Sequence, residues 1–265
     1  MINNKNTEGE IRLMENTAKK RFTNEFDKLC KTKDAWDTWT DLISCIACVI
    51  SNFADNADEH FLNRTSEYET RAAKLGGDEV IKKFILIIGD AFNENPEQDF
   101  LGELYMEYNL GKHCHGQFFS PYSIAKFMAS LCELQTSNIK SNGFGAITDP
   151  ACGSGVMLIA AINKYRDVCN FQQELLCVGQ DIDRVAAQMC YIQLSILGCA
   201  GYICVGDTLK NPIARNEVLL PVEKEGQELW LTPMFTFGKL WNKRKEARKI
   251  LLLERLQRKL AESVS

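Results

Sequence analysis

Apolar residues recur at steps of three and four in two stretches of the first hundred positions. Trp36, Trp39, Ile43, Ile46 and Ile50 draw one stripe; Val80, Ile81, Phe84, Ile85 and Ile88 draw a second. That spacing keeps side chains on one face of a 3.6-residue helix, so it predicts two amphipathic helices, each with a side to bury. Gly76-Gly77 and Asn93-Glu94-Asn95-Pro96 punctuate the region as turns. Residues 1–110 therefore read as a helical subdomain.

After Gly111 the pattern changes. Ser120-Pro121 suits a helix start, with the hydroxyl as N-cap, and Ile124, Phe127, Met128 and Leu131 supply an apolar face. Short apolar runs at Ala146–Asp149, Leu175–Gln180 and Tyr202–Val205 predict strands. A helix from Gly155 to about Arg166 falls between the first two. Another, lined by Val185, Met189, Ile192 and Ile196 and stopped at Gly198, falls between the second and third. Strands alternating with helices of this length imply a parallel α/β sheet. Val218–Val222 offers one more strand, Trp230–Trp241 reads as an aromatic-rich loop or turn, and Leu240 to about Glu262 as a charged helix. The expected division is a helical subdomain over 1–110, an α/β domain over 111–238 and a terminal helix over 239–265.

Composition narrows the class without naming a function. Apolar residues make up 45% and charged residues 25% of the 265, ordinary values for a globular protein. No apolar run approaches the ~18 residues that suggest a membrane span, and the first residues lack a signal peptide's apolar core. Eleven cysteines, an odd number without framework spacing, fit reduced thiols in a cytoplasmic protein. Cys45 and Cys48 form a C-x-x-C and His113-Cys114-His115 a cluster, but zinc would want a second pair. Cys45 and Cys48 lie within an apolar helix, so buried thiols are expected and no metal. From Lys239 onward nine Lys or Arg meet three Glu, a balance of +6 that leaves -10 for the rest of a chain of net charge -4. A solvated amphipathic helix and a phosphate-binding one both fit that tail.

The densest chemical signal is Asp149-Pro150-Ala151-Cys152-Gly153-Ser154-Gly155. A strand that ends in an acid, turns through two glycines and opens a helix lets the backbone approach a bulky ligand. Leu158 stands where the dinucleotide fingerprint would place a third glycine, which disfavours a nicotinamide-dependent oxidoreductase. An acid ahead of the first glycine suits a cofactor that carries an ammonium group, and points to S-adenosylmethionine. Asp181, at the second strand's end, is placed to accept hydrogen bonds from ribose hydroxyls, and Asp207, after the third, lies near an adenine amino group. Gln117-Phe118-Phe119-Ser120-Pro121 presents a helix N-terminus for a carboxylate. Each of Ser120, Asp181 and Asp207 also fits a plain helix cap.

Together, Gly116 to Pro121, Asp149 to Gly155, Asp181 and Gly206 to Leu209 resemble the adenine-N6 DNA methyltransferases. More narrowly they are similar to the modification subunits of type I restriction-modification systems and their relatives in phages and mobile elements. Leu101-Gly102-Glu103-Leu104-Tyr105 and the preceding helices also suit that family. The resemblance implies a class I methyltransferase-like Rossmann sheet, here truncated after the third strand, behind an N-terminal helical subdomain. It implies S-adenosylmethionine contacts at Gln117, Phe118, Phe119, Ser120, Pro121, Asp149, Gly153, Ser154, Gly155, Asp181 and Asp207, and methyl transfer to adenine N6 in DNA. The family's catalytic Asn-Pro-Pro-Tyr/Phe is absent; the nearest string is Asn211-Pro212-Ile213-Ala214. No catalytic residue is assigned. Either a second subunit completes the site, or the chain is a non-catalytic cofactor- or DNA-binding assembly protein on the same fold.

Overall fold

The computed structural model describes residues 17–54, 60–113, 117–132, 139, 143–213 and 218–264. Both N-terminal stripes form helices. α1 (Ala18–Cys30), α2 (Ala35–Ala54), α3 (Phe61–Leu75), α4 (Asp78–Glu94) and α5 (Phe100–Glu107) precede a 3-10 turn at Leu110–His113. Gly76 closes α3 in the left-handed conformation (φ 104°). Phe22, Phe26, Trp39, Phe84 and Phe100 meet as a buried aromatic cluster, with ring centroids 4.8–5.9 Å apart in four of its pairs. Cys45 and Cys48 are buried on α2 as expected, and burial pushes both thiols up to about 12.

The α/β half follows as α6 (Tyr122–Leu131), β1 (Gly145–Asp149), α7 (Val156–Tyr165), α8 (Phe171–Glu174), β2 (Leu175–Asp181), α9 (Arg184–Ile196), β3 (Ala200–Val205), β4 (Glu228–Leu231), α10 (Pro233–Phe237) and α11 (Lys239–Val264). The sheet order is β1-β2-β3-β4. The first three strands run parallel, with Asp149 opposite Gly179 and Asp181 opposite Val205. β2 lies inside the sheet, and all seven of its residues are buried. α9 packs between this sheet and α2, so the N-terminal helices and the sheet share one hydrophobic cluster rather than two. The fold is a Rossmann-like α/β layer backed by helices.

Three expectations need correction. Val218–Val222 is not a strand; β4 forms instead at Glu228–Leu231, antiparallel to β3, so the sheet runs one strand past the expected end. It takes Trp230 from the expected loop and buries it under two guanidiniums, Arg64 at 4.2 Å and Arg184 at 5.6 Å from the ring centroid. Pro233–Phe237 makes a further helical turn there. Next, Ser120 does not cap α6; Pro121 holds the N-cap position, with no side-chain cap. Finally, the apolar face of α6 is not buried. Ala125 and Ala129 pack inward against α7, and Ile124, Phe127, Met128 and Leu131 stay exposed.

Candidate functional site

The Asp149–Gly155 turn joins β1 to α7 at the carboxyl end of the sheet, where open α/β sheets receive ligands. Its glycines are required by their surroundings. Gly155 has φ 98°, and a Cβ there would lie 2.7 Å from Cys190 Sγ. At Gly153 (φ 52°) a Cβ would meet the Phe119 ring at 3.0 Å. Phe119 therefore lies on the turn, with its other neighbour Tyr105 at a centroid distance of 5.0 Å. Two segments more than thirty residues apart in sequence thus meet here.

Asp181 reaches the same turn. Its carboxylate accepts from Gly153 N–H at 2.7 Å and from Asp183 N–H at 2.9 Å. The cap of α9 is Asp183, which accepts from Ala186 N–H at 3.0 Å, so Asp181 is not the helix cap. Asp149 accepts from Ala151 N–H at 3.1 Å. Burial pushes both Asp149 and Asp181 above the ordinary carboxylate value, and for Asp149 the nearby Asp181 adds to the rise. Asp207 has a different setting. Its carboxylate accepts from Leu209 and Lys210 N–H at 2.9 and 3.2 Å and faces Lys210 Nζ at 3.4 Å. The Lys210 backbone hydrogen bond, first among several such contacts, holds it below the usual range. Thr208 donates to Pro150 O at 2.6 Å, which ties this third loop to the turn.

The remaining expected residues divide by exposure. Ser120 and Pro121 are exposed beside a cleft of about 460 Å3 that Asp99, Glu103, Phe119 and Tyr122 also line. Gln117 Oε1 is buried and accepts no hydrogen bond among the described residues. Phe118 is 78% exposed. Ser154 is 1% exposed, and its hydroxyl donates to the buried Asp99 rather than facing the open side of the turn. Gly116 lies outside the described residues, as do Cys114 and His115 of the histidine cluster. Asn211 donates its side-chain amide to Glu225 O at 3.4 Å, and its carbonyl accepts from Gln180 and Gln227 at 2.9 and 2.7 Å.

Two residues escaped the sequence reading. Ile182 follows Asp181 and is 71% exposed, and Leu209 follows Asp207 by two and is 96% exposed. They put apolar side chains in water on two of the loops that carry the carboxylates, as Phe118 does on the 117–121 segment. An apolar residue between the two acids of Gln180-Asp181-Ile182-Asp183 was the signal available for Ile182. Asp99 also went unnoticed, because a lone acid ahead of a helix reads only as a cap.

A sequence profile described as N-6 DNA Methylase matches residues 96–244, more than half of the chain and all of this site. The type I restriction enzyme MjaIX methylase subunit of Methanocaldococcus jannaschii is 31% identical over 121 residues, 43% of this chain and 20% of that protein. The MjaVIII methylase subunit of the same organism is 29% identical over 184 residues, 59% of this chain and 30% of that protein. The chain thus spans a fifth to under a third of the length of these relatives. A crystal structure of a type I restriction-modification system methyltransferase subunit from Streptococcus thermophilus aligns over 76% of this chain and 60% of that one. Its identity is 15% and its TM-score 0.37, a likeness too slight to carry an argument.

Proposed function

The chain belongs to the N-6 DNA methylase family, and we propose that it binds S-adenosylmethionine at the open end of its sheet and holds it for methyl transfer to adenine N6 in DNA. The observation that carries the reading is a pair of carboxylates without cations at the strand ends, Asp181 buried and Asp149 half-buried. Burial raises both Asp149 and Asp181, and among the described residues no lysine or arginine pairs with either. A site left electronegative in this way fits a ligand that brings a sulfonium and an ammonium group. The unmatched Gln117 Oε1 can accept from the same ligand, and the left-handed glycines leave backbone open to its approach. In this arrangement Asp149 and Asp181 hold the cofactor, Phe119 and Gly153 shape its floor, and Phe118 and Ile182 cover its apolar surfaces.

When bound, S-adenosylmethionine supplies an activated methyl group that passes directly to an in-line nucleophile. The chain's part is positioning. A target adenine must leave the duplex to reach such a pocket. The chain contains no Asn-Pro-Pro segment to grip the adenine amino group. In the nearest string, the Asn211 side-chain amide donates to Glu225 O and its backbone carbonyl accepts from Gln180 and Gln227. Completion by a second polypeptide is supported by the sheet's other side. Among the described residues β1 pairs with β2 alone, alternate residues of β1 are open, and the apolar stripe of α6 faces outward beside it. A groove of about 400 Å3 between them is lined by Met128, Ala146, Thr148 and Met157. The absence of Asn-Pro-Pro equally favours a second reading, a non-catalytic cofactor- or DNA-binding assembly protein.

Calorimetric titration of the chain with S-adenosylmethionine tests the binding. A measurable heat is expected, weakened at least tenfold by Asp181→Ala, an ion-assisted contact of ordinary strength. No heat with the parent, or equal heats for both, sinks the reading. Incubation with tritiated cofactor and mixed-sequence DNA then separates the two functions: methylated adenine from the chain alone removes the non-catalytic one.

A further inference from the structure

Asp99 is 2% exposed beneath the glycine turn, and among the described residues no cation accompanies it. It caps α5 by accepting from Gly102 N–H at 3.0 Å. The same oxygen accepts from Gln193 Nε2 of α9 at 2.8 Å, and its other oxygen accepts from Ser154 Oγ at 2.5 Å. Gln193 Nε2 also donates to Ser154 O at 2.8 Å, while Gln193 Oε1 accepts from Leu101 N–H at 3.1 Å. Two elements distant in sequence, α5 and α9, thus meet on one residue of the glycine turn, each with matched hydrogen-bonding groups. Gly102 shows how closely the knot is built: a Cβ there would lie 2.0 Å from Asp99 Oδ2 and 2.5 Å from Ser154 Oγ.

A helix cap alone does not need this. A serine or threonine caps as well without a buried charge, and a carboxylate in an apolar interior is costly unless every lone pair is used. The network instead grips the one side chain that stands between the two glycines. Ser154 is flanked by Gly153 and Gly155, whose left-handed backbones have no Cβ to fix them.

We propose that Asp99 and Gln193 are positioning residues for the cofactor turn, acting through Ser154 to keep the Gly153 and Gly155 backbone in its binding conformation. This rests on the S-adenosylmethionine reading for its consequence, but not for its geometry. The turn's order is a property of the ligand-free chain. Ser154 is thereby reassigned from a ligand contact through its side chain to the anchor of the turn.

The test uses the full chain and two readouts. Amide hydrogen exchange over residues 150–158, without ligand, reports the turn directly; S-adenosylmethionine affinity reports the consequence. Ser154→Ala and Asp99→Ala are expected to speed exchange about tenfold or more and to weaken affinity by a similar factor. Asp99→Asn is the conservative rescue. Its oxygen still accepts from Gly102 and Gln193 while its NH2 donates to Ser154 Oγ, so exchange and affinity stay within about threefold of the parent. Should Asp99→Ala fail to fold, Ser154→Ala and Gln193→Leu carry the same expectation. Parental exchange in Ser154→Ala overturns the proposal whatever the ligand does. So does an Asp99→Asn variant as loose as Asp99→Ala, since charge rather than hydrogen-bond geometry would then hold the turn. Faster exchange in the alanine variants of a chain that binds no S-adenosylmethionine leaves the anchor standing and removes only the cofactor reading.

Discussion

The two sides of the sheet treat the same raw materials in opposite ways. On the β4 side, apolar groups are covered and carboxylates paired. Trp230 is fully buried, and Arg184 clasps Glu67 with two hydrogen bonds of 2.8 Å and Glu228 at 2.8 and 3.1 Å. Burial would raise Glu67, but the Arg184 and Arg71 guanidiniums hold it below its ordinary value. On the β1 side, Ile124, Phe127, Met128 and Leu131 stand in water beside the strand's outer edge, and among the described residues Asp149 and Asp181 have no cation. The first side is finished by contacts within the chain. The second exposes what partners and ligands use, apolar area and unneutralised charge.

That contrast can be broken by substitution, most strongly on the finished side. Trp230→Ala removes a buried ring packed against Tyr191 and under two guanidiniums. It should cost about 3–5 kcal/mol in urea unfolding, as large-to-small core changes do. A loss under about 1 kcal/mol would mean that β4 is not the firm edge described.

The carboxylates give a second, smaller effect with a definite sign. Asp99, Asp149 and Asp181 are raised in the folded chain, so between the ordinary carboxylate value and their raised ones the folded state binds more protons than the unfolded. Stability without ligand is therefore full below about pH 4 as far as these groups decide it, and falls as pH rises through that window. Asp99→Asn should flatten the fall in a series of denaturation curves at stepped pH. A fall equally steep in parent and variant would remove Asp99 from the account. S-adenosylmethionine affinity should move oppositely and weaken as pH drops, because protonation discharges the carboxylates that face it.

The smallest effect sharpens the open side. Phe127→Ser on α6 should change the stability of the isolated chain by no more than about 0.5 kcal/mol, since the ring is 61% exposed. A loss comparable to that of Trp230→Ala would show the stripe to be covered within the chain itself.

Much of this was legible in the sequence. Period fixed the type of α2, α4 and α9, and short apolar runs marked α7 and the three parallel strands, because each of these signals lies within its own segment. The glycine turn was legible for the same reason: Asp149, Gly153 and Gly155 sit within seven residues, and their chemistry is local. β4 was not, because Glu228-Leu229-Trp230-Leu231 is too short to show a period and is a strand only through its pairing with β3. The role of Asp99 was hidden because its partners lie 55 and 94 residues away.

The amino-acid sequence by itself determined the helices that carry an apolar stripe, the three parallel strands and the acid–glycine turn at the first strand's end. Those properties are set within one or two turns of chain by side-chain volume, backbone freedom and period. Only the tertiary structure decided which apolar faces are covered, which carboxylates meet a cation and which serine anchors the turn. Burial and pairing belong to residues brought together from distant elements, and no local pattern records who the neighbour is.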